Sequence, residues 1–190
     1  NISYDGTDFQ GFQAQQDVRT VQDTLEEALR RIGWTGTRIK ASGRTDSGVH
    51  ARGQVIAFEM AWKHGTEKLV RALNANLPPD VAAWKAEAAE PGFHPRFDAV
   101  ERWYSYRILC SPVRKPMQER YVWRIWPEPD LGLMQQAADA LLGVHDFGAF
   151  GRAPIPGGHT TRQVFAAVWH QDSSELELNI AANAFLYHMV

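Results

Sequence analysis

The 190-residue sequence contains only one cysteine, Cys110, so it can form neither an intramolecular disulfide nor a multi-cysteine zinc site. No apolar run approaches the roughly 20 residues of a membrane-spanning helix, and the first residues lack the pattern of a signal peptide. A single thiol fits a reducing compartment. We therefore expect a cytoplasmic protein that does not associate with membranes.

Several familiar catalytic patterns are also missing. The sequence has no GxSxG, HExxH or GxGxxG motif, and its seven histidines include no pair at metal-ligand spacing with a carboxylate. Gly48 and Gly53 have the spacing of a phosphate-binding P-loop, but Gln54 occupies the position that requires lysine. These absences exclude nucleotide hydrolysis and predict that no metal ion is bound.

The charged residues are unevenly distributed. The whole chain has a net charge of −2, yet residues 30–52 hold six basic groups and one acid, and residues 94–124 hold seven basic groups and three acids. Basic stretches flanked by acidic ones suit a protein that binds a polyanion in one region. Solvated helix and loop surfaces explain the same distribution, so charge alone does not decide between the two interpretations.

Three amphipathic segments predict helices. The first begins after Thr20, a suitable N-cap, and stops at Gly33; the second ends at Pro78-Pro79; the third runs from Asp130 to Gly143. We expect the apolar residues that define these segments to lie in the core: Val21, Leu25, Ala28, Leu29 and Ile32; Leu69, Val70, Leu73 and Leu77; and Leu133, Met134, Ala137, Ala138, Leu141 and Leu142.

Strands are predicted between the helices. Apolar and polar residues alternate at 103–110 and 175–180, and further candidates are 36–42, 54–60, 81–88, 121–126 and 163–170. The order up to about residue 88 is β-α-β-β-α-β, and a similar mixture follows. We therefore predict an α+β fold with mainly antiparallel pairing and two domains, 1–90 and 91–190. Because Val190 ends an apolar run without a stop signal, we expect the natural polypeptide to continue beyond it.

The densest group of special residues is the segment Gly43–Gly53, with the sequence GRTDSGVHARG. Its glycines mark a loop whose backbone closely approaches another group. Arg44 and Arg52 flank Asp46, and nearby positive charge favours the ionised form of its carboxyl group. An ionised, oriented carboxylate can act as a nucleophile or general base. The alternative is structural: Asp46 caps a turn and pairs with Arg44.

A second candidate element is the aromatic segment Arg102–Tyr106. Tyr104 and Tyr106 lie two residues apart and therefore on one face of a strand. Aromatic rings beside arginines can stack on exposed nucleobases. Packing in the core is the simpler explanation for most aromatic residues in strands.

At these residues the sequence closely resembles the TruA family, the tRNA pseudouridine synthases that act on positions 38, 39 and 40 of the anticodon arm. The segment Gly43–His50 is similar to the family signature GRTDxGVH, with Asp46 at the catalytic aspartate. Phe12 stands where the family usually has Trp. The other similar segments span nearly the whole chain: Tyr4-Asp5-Gly6, Gly11-Phe12-Gln13, Thr20-Val21-Gln22, Asn74–Pro78, Phe93–Phe97, Arg102-x-Tyr104-x-Tyr106 and Ala182–Val190.

The resemblance implies a fold, an activity and partners. It implies two α+β halves, each like an RNA-recognition (ferredoxin-like) sandwich. They share one long, mainly antiparallel sheet with helices on one side and a catalytic cleft between the halves. The implied activity is isomerisation of uridine to pseudouridine in tRNA by a homodimer that uses no metal or organic cofactor. The family continues with Arg and further helix and strand after the Met-Val that ends this chain.

The resemblance also implies roles for individual residues. Asp46 is the catalytic aspartate, and it attacks the sugar or the ring or removes the C2′ proton. Tyr104 stacks on the uracil, Arg44 helps to flip or hold the nucleotide, and Arg162 is the basic partner in the substrate-binding site that keeps Asp46 ionised.

Two alternative functions remain open. One is an RNA-binding module of the same fold without catalytic activity, for which Asp46 would be dispensable. The other is a glycoside hydrolase, which needs a pair of carboxyl groups. No second acid lies within ten residues of Asp46 on either side, so only the fold could supply one.

Overall fold

The computed structural model describes residues 1–155 and 157–190. The chain forms two compact units, Asn1–Ala99 and Val100–Val190. Within the described residues the helices are α1 (Val21–Arg31), α2 (Thr66–Asn74) and α3 (Leu131–Asp139). The strands are β1 (Ile2–Tyr4), β2 (Lys40–Ala41), β3 (Ala51–Gln54), β4 (Ile56–Ala57), β5 (Val81–Ala83), β6 (Arg102–Cys110), β7 (Trp123–Ile125), β8 (Gly143–Asp146), β9 (Thr161–Asp172) and β10 (Glu175–Ala182).

In the first unit, β1 is the central strand of an antiparallel sheet with the order β3-β1-β5, and β2 pairs separately with β4. The apolar faces of α1 and α2 complete a core that includes Tyr4, Phe9, Phe12, Leu25 and Leu69. Tyr4, the last residue of β1, pairs with Ala51, the first residue of β3. The chain that precedes β3 therefore returns to the sheet beside Tyr4.

Helix α1 confirms the predicted start and stop. The Thr20 hydroxyl accepts a hydrogen bond from the Asp23 amide over 3.2 Å, which satisfies one of the free amides at the helix start. The helix ends at Arg31, and Gly33 follows with φ +96°, a conformation that glycine adopts without strain. Local sequence chemistry is sufficient to define this helix.

Helix α2 ends at Asn74, before the predicted stop at Pro78-Pro79. The Asn74 side chain donates to the Ala83 carbonyl over 2.7 Å and accepts from the Ala83 amide over 2.8 Å, which ties the end of the helix to β5. Asn76 then donates to the Ala72 carbonyl, one of the carbonyls left free at the helix end. The Leu77 amide still donates to the Leu73 carbonyl over 2.9 Å, so one further turn follows the helix before Pro78-Pro79.

Helix α3 begins after its predicted N-cap, because the Asp130 carboxylate accepts from the Leu133 amide over 3.0 Å. The predicted end at Gly143 is wrong: the helix stops at Asp139, and Gly143 opens β8 by pairing with Val164. The expectation that Leu133, Ala137 and Leu142 lie in the core is also wrong, since all three are exposed, Leu133 and Leu142 to 64% and 42%.

The second unit is built on a five-stranded sheet with the order β7-β6-β10-β9-β8. Its neighbours are antiparallel except β6 and β7, which are parallel. Ala138 of α3 packs against Val164 and Ala167 of β9, so one face of the sheet is covered by this helix. Helices and mainly antiparallel sheets confirm the predicted α+β class. Within residues 1–155 and 157–190, no helix is long and apolar enough to cross a membrane.

Candidate active site

The loop that carries Asp46 connects β2 to β3 and is closed at its base. The Ser42 amide donates to the Val55 carbonyl over 2.9 Å. The buried Gln54 side chain donates to the Gly43 carbonyl over 3.0 Å and accepts from the Ser42 hydroxyl. Because the buried amide of Gln54 on β3 satisfies two groups that follow β2, it fixes the point at which the loop leaves the strands.

The tip of this loop packs along the backbone that follows β1. The Phe12 amide donates to the Thr45 carbonyl over 3.0 Å, and the Gly48 amide donates to the Phe9 carbonyl over 3.3 Å. The Ser47 hydroxyl also donates to the Phe9 carbonyl, over 3.2 Å. Since Phe9 and Phe12 are both buried, these bonds tie the loop to the core of the first unit.

Two glycines allow this close approach. A Cβ atom at Gly6 would lie 2.1 Å from the Val49 carbonyl oxygen, which is far inside van der Waals contact. Gly11 has φ +86°, and a Cβ there would lie 3.0 Å from the Thr45 carbonyl oxygen. Both positions therefore require glycine for the backbone and the loop to pack together.

The backbone around Asp46 is held from both sides. Before it, the Thr45 hydroxyl lies 2.7 Å from the Tyr4 hydroxyl, and Tyr4 is buried in the core. After it, the Asp46 carbonyl accepts from the Val49 amide over 3.2 Å, and Gly48 in that turn has φ +78°. The Asp46 side chain is exposed. The loop thus presents a carboxylate to solvent from a fixed backbone.

His50 links the far end of the loop to the turn after β1. Its Nδ1 atom lies 3.0 Å from the Gly6 amide nitrogen and 3.0 Å from Asp5 Oδ1. One nitrogen cannot accept from an amide and donate to a carboxylate at the same time, so the two contacts correspond to different protonation states of that nitrogen. In either state His50 remains attached to Asp5-Gly6. Asp5 Oδ1 also accepts from the amide and hydroxyl of Thr7.

Arg44 is exposed on the same loop as Asp46. It belongs to the basic segment 30–52, in which three cations pair with acids of α1: Arg30 with Glu26, Arg31 with Glu27, and Arg38 with Asp23 and Glu26. Within the described part of the chain, Lys40, Arg44 and Arg52 form no ion pair. The sequence count therefore overstates the positive charge that this segment offers to a polyanion.

Tyr104 lies near the start of β6 in the second unit. Its ring packs edge-on against Phe185, with ring centroids 4.8 Å apart and an interplanar angle of 72°. The side chain is half-buried beside the apolar cluster that contains Val164 and Ile180. Tyr106, two residues along the strand, is more exposed at 39%. Tyr104 therefore combines a ring held by packing with partial access to solvent.

Arg162 lies in β9 and is only 6% exposed. One guanidinium nitrogen, Nη1, donates to the carbonyls of Thr161 over 2.6 Å and His159 over 3.1 Å. Among the described residues, Nε has no hydrogen-bond partner and the side chain has no carboxylate partner. Burial lowers the pKa of this guanidinium from its usual value, because desolvation disfavours the charged form. An anion beside Arg162 would stabilise this arrangement.

Tyr104 and Arg162 lie at the same end of the five-stranded sheet. This end contains the start of β6, the end of β10 and the start of β9. Asn183 joins the three strands: its carbonyl accepts from the Arg102 guanidinium over 2.7 Å, and it exchanges two hydrogen bonds with the backbone of Gln163. Asp46 and Arg44 belong to the first unit, and Tyr104 and Arg162 belong to the second.

The periodicity of the sequence did not identify the groups that position these residues. The contact between Tyr4 and Thr45 spans 41 positions, and the contact between Gly6 and His50 spans 44. The available signal was the motif similarity at Tyr4-Asp5-Gly6 and at His50, which marked these residues without giving their contacts. In the described ranges, no group of three His, Cys, Asp or Glu residues could hold a metal ion.

The comparison with known proteins identifies the class of this protein. The family model described as tRNA pseudouridine synthase matches residues 2–98 and 137–190, which include the loop of Asp46 and the strand of Arg162. This is a family of RNA-modifying isomerases.

Similar proteins cover the entire chain. It is 40% identical over 191 residues to tRNA pseudouridine synthase A of Bacillus subtilis, which covers all of this chain and 77% of the relative. It is 38% identical over 190 residues to the enzyme of that name from Halalkalibacterium halodurans, and 40% identical to that of Neisseria meningitidis, covering 72% of each relative. The chain therefore belongs to the tRNA pseudouridine synthase family.

Proposed function

We propose that this chain converts uridine to pseudouridine at one or more of positions 38, 39 and 40 of tRNA, with Asp46 as the catalytic carboxylate. The observation that carries the proposal is the exposed Asp46 side chain on a loop whose backbone is fixed to the core. A catalytic group must be held in a productive geometry and must also be reachable by its substrate. The exposed carboxylate and the fixed backbone of Asp46 support this role.

The reaction needs no oxidant or hydrolytic water. The C1′–N1 glycosidic bond breaks, the uracil turns, a C5–C1′ bond forms, and the C5 proton leaves, while N1 gains a proton. The product has the same atoms as the substrate. One ionised carboxylate can serve this chemistry, either by attacking the sugar or ring or by taking the C2′ proton. The target uridine must first leave its base stack to reach it.

The other site residues have separate roles in this proposal. Arg44, exposed on the loop of Asp46, holds the flipped nucleotide through its phosphate. Tyr104 stacks on the uracil with a ring that Phe185 keeps in place. Arg162 is a basic residue of the substrate-binding site, and its buried guanidinium with an unmet Nε donor supports a role beside an anion.

The family resemblance supplies the remaining expectations. In this proposal each of the two units is an RNA-recognition-like half. The enzyme is a cytoplasmic homodimer that acts without metal or organic cofactor, and tRNA is its substrate. Since the family that the sequence resembles acts on three adjacent positions, recognition should depend on tRNA shape and backbone contacts more than on base identity.

Tritium release from tRNA labelled at uridine C5 tests the proposal directly, because C5 loses its hydrogen only when it bonds to C1′. We expect release from tRNA with uridine at positions 38–40 and none from the same tRNA with cytidine there. Binding without release would favour the RNA-binding module instead. Free uracil would indicate a glycoside hydrolase. Release from both tRNAs would contradict the assigned positions.

A further inference from the structure

The geometry points to Tyr4 as a positioning residue for catalysis: we propose that its hydroxyl, through Thr45, sets the orientation of Asp46. This inference rests on the proposed function, since it assumes that Asp46 is the catalytic group. The key contact is the 2.7 Å hydrogen bond between Tyr4 Oη and Thr45 Oγ1. Thr45 immediately precedes Asp46, so the backbone conformation of Thr45 directs the Asp46 side chain.

Tyr4 is suited to positioning and cannot act on the substrate itself. It is the last residue of β1 and only 5% exposed. Its ring lies 6.2 Å from the buried ring of Phe12. Because its hydroxyl reaches the loop from inside the core, tRNA cannot contact it without unfolding the first unit. The effect of Tyr4 on the reaction is therefore indirect, and its bond to Thr45 is a direct connection to the loop.

Thr45 is held at two points. Its carbonyl accepts from the Phe12 amide over 3.0 Å, and its side chain bonds to Tyr4. The side-chain bond adds a second restraint to the one that the backbone bond supplies. Loss of the Tyr4 hydroxyl should thus leave the loop attached but less well ordered. A displacement of about 1 Å at a reacting group can cost on the order of 10²-fold in rate.

The test compares Tyr4→Phe, Thr45→Val, their double variant and Thr45→Ser with the parent chain. Tyr4→Phe should lower the single-turnover rate about tenfold, because the loss of one neutral hydrogen bond leaves Asp46 less well oriented. The affinity for tRNA should be unchanged, because Tyr4 does not contact the RNA. Thr45→Val should match it. Thr45→Ser keeps the hydroxyl and should stay within about twofold of the parent. The double variant should be no slower than either single one, because all three lack the same bond.

Thr24→Val is the matched control. The Thr24 hydroxyl donates to the Thr20 carbonyl on α1 over 2.9 Å, so this variant also loses one hydroxyl bond of the first unit without touching the loop. We expect it to keep the parent's turnover. An equal loss of rate in Thr24→Val and Tyr4→Phe would overturn the proposal, as would multiplying losses in the double variant.

A second readout separates this inference from the proposed function. The amides of Gly48 and Val49 are both hydrogen-bonded in the loop, so their hydrogen exchange reports its order without any turnover. Tyr4→Phe should raise their exchange rates about three- to tenfold, while Thr24→Val should leave them unchanged. Unchanged exchange in Tyr4→Phe would overturn the positioning role even in an active enzyme. An inactive parent would overturn the function alone.

Discussion

Glu26 of α1 accepts a hydrogen bond from the Ile39 amide over 3.1 Å, although its side chain is completely buried. The same carboxylate accepts from Gln22 over 2.8 Å and from Arg30 over 3.1 Å. A buried charge is tolerated when its oxygens are all satisfied in this way. Because Ile39 directly precedes β2, Glu26 joins the first helix to the strand that leads into the Asp46 loop.

We predict that Glu26→Ala lowers the free energy of unfolding of the first unit by about 2–4 kcal/mol, since it leaves the buried Ile39 amide unpaired and opens a cavity. Glu26→Gln keeps an acceptor for that amide and should cost about half as much. Urea unfolding followed by tryptophan fluorescence measures both, because Trp34 lies in the same core. Equal stability of all three proteins would contradict this account.

The sequence was most informative where the determinants of structure are local. Thr20 caps α1 through its own side chain, and the Gly43–His50 signature marks the Asp46 loop without any knowledge of the fold. Local chemistry of this kind involves a few neighbouring residues, so a pattern in the sequence suffices to detect it.

The prediction failed where distant pairing decides the structure. Strand β8 has every residue exposed, so no alternation marks it, and it exists because it pairs with β9. The same pairing ends α3 early. The burial of Arg162 was equally invisible in the sequence, because arginine is seldom buried and its surroundings come from several segments.

The salt dependence of tRNA binding should depend on the unpaired cations of the first unit. Lys40→Gln combined with Arg52→Gln should reduce the log–log slope of affinity against salt by about one unit for each phosphate that the variant no longer neutralises. Arg38→Gln is the control, because Arg38 already pairs with Asp23 and Glu26. It should leave the slope nearly unchanged. Filter binding at several salt concentrations measures the slopes, and equal slopes for all variants would mean that these cations do not meet the RNA.

Asp146 should contribute to the acid sensitivity of the second unit. The Thr160 hydroxyl and the Gly148 amide donate to its carboxylate and lower its pKa below the ordinary 3.8. A lowered pKa in the folded state means that the contribution is present above 3.8 and disappears as the pH falls through the folded value. Asp146→Asn should therefore flatten the decline of stability at acid pH. Thr160→Val removes the hydrogen bond from the Thr160 hydroxyl to Asp146 and should also flatten this decline. If the free energy of unfolding falls at acid pH in both variants as it does in the parent, Asp146 does not have this role.

Tyr104→Phe tests whether the hydroxyl takes part in the reaction. Phenylalanine keeps the edge-on packing with Phe185 and the face that would stack on uracil, so stability and tRNA affinity should be retained. Removing a proton-transfer group should slow single turnover by about 10²-fold or more. Tyr106→Phe, on the same strand, is the matched control and should keep the parent's rate. Near-parental turnover in Tyr104→Phe would leave stacking as the role of Tyr104.

Asp46→Asn separates the catalytic role of Asp46 from its structural one. The turn at Asp46 is closed by its backbone carbonyl and the Val49 amide, and asparagine leaves this bond in place. Asparagine also keeps the shape of the side chain, so folding and tRNA affinity should be close to those of the parent. Loss of a sole nucleophile or base should lower the rate by on the order of 10⁴-fold, which corresponds to about 5–6 kcal/mol of barrier.

A structural role predicts a different result in a different measurement. Loss of a capping side chain costs about 1 kcal/mol of stability and leaves the chemical step unaffected. Pseudouridine formed in a single turnover and the free energy of unfolding, measured on the same Asp46→Asn protein, therefore distinguish the two roles. A folded Asp46→Asn protein that converts uridine at a tenth of the parental rate would exclude Asp46 as the essential catalyst, because that loss is about a thousandfold too small.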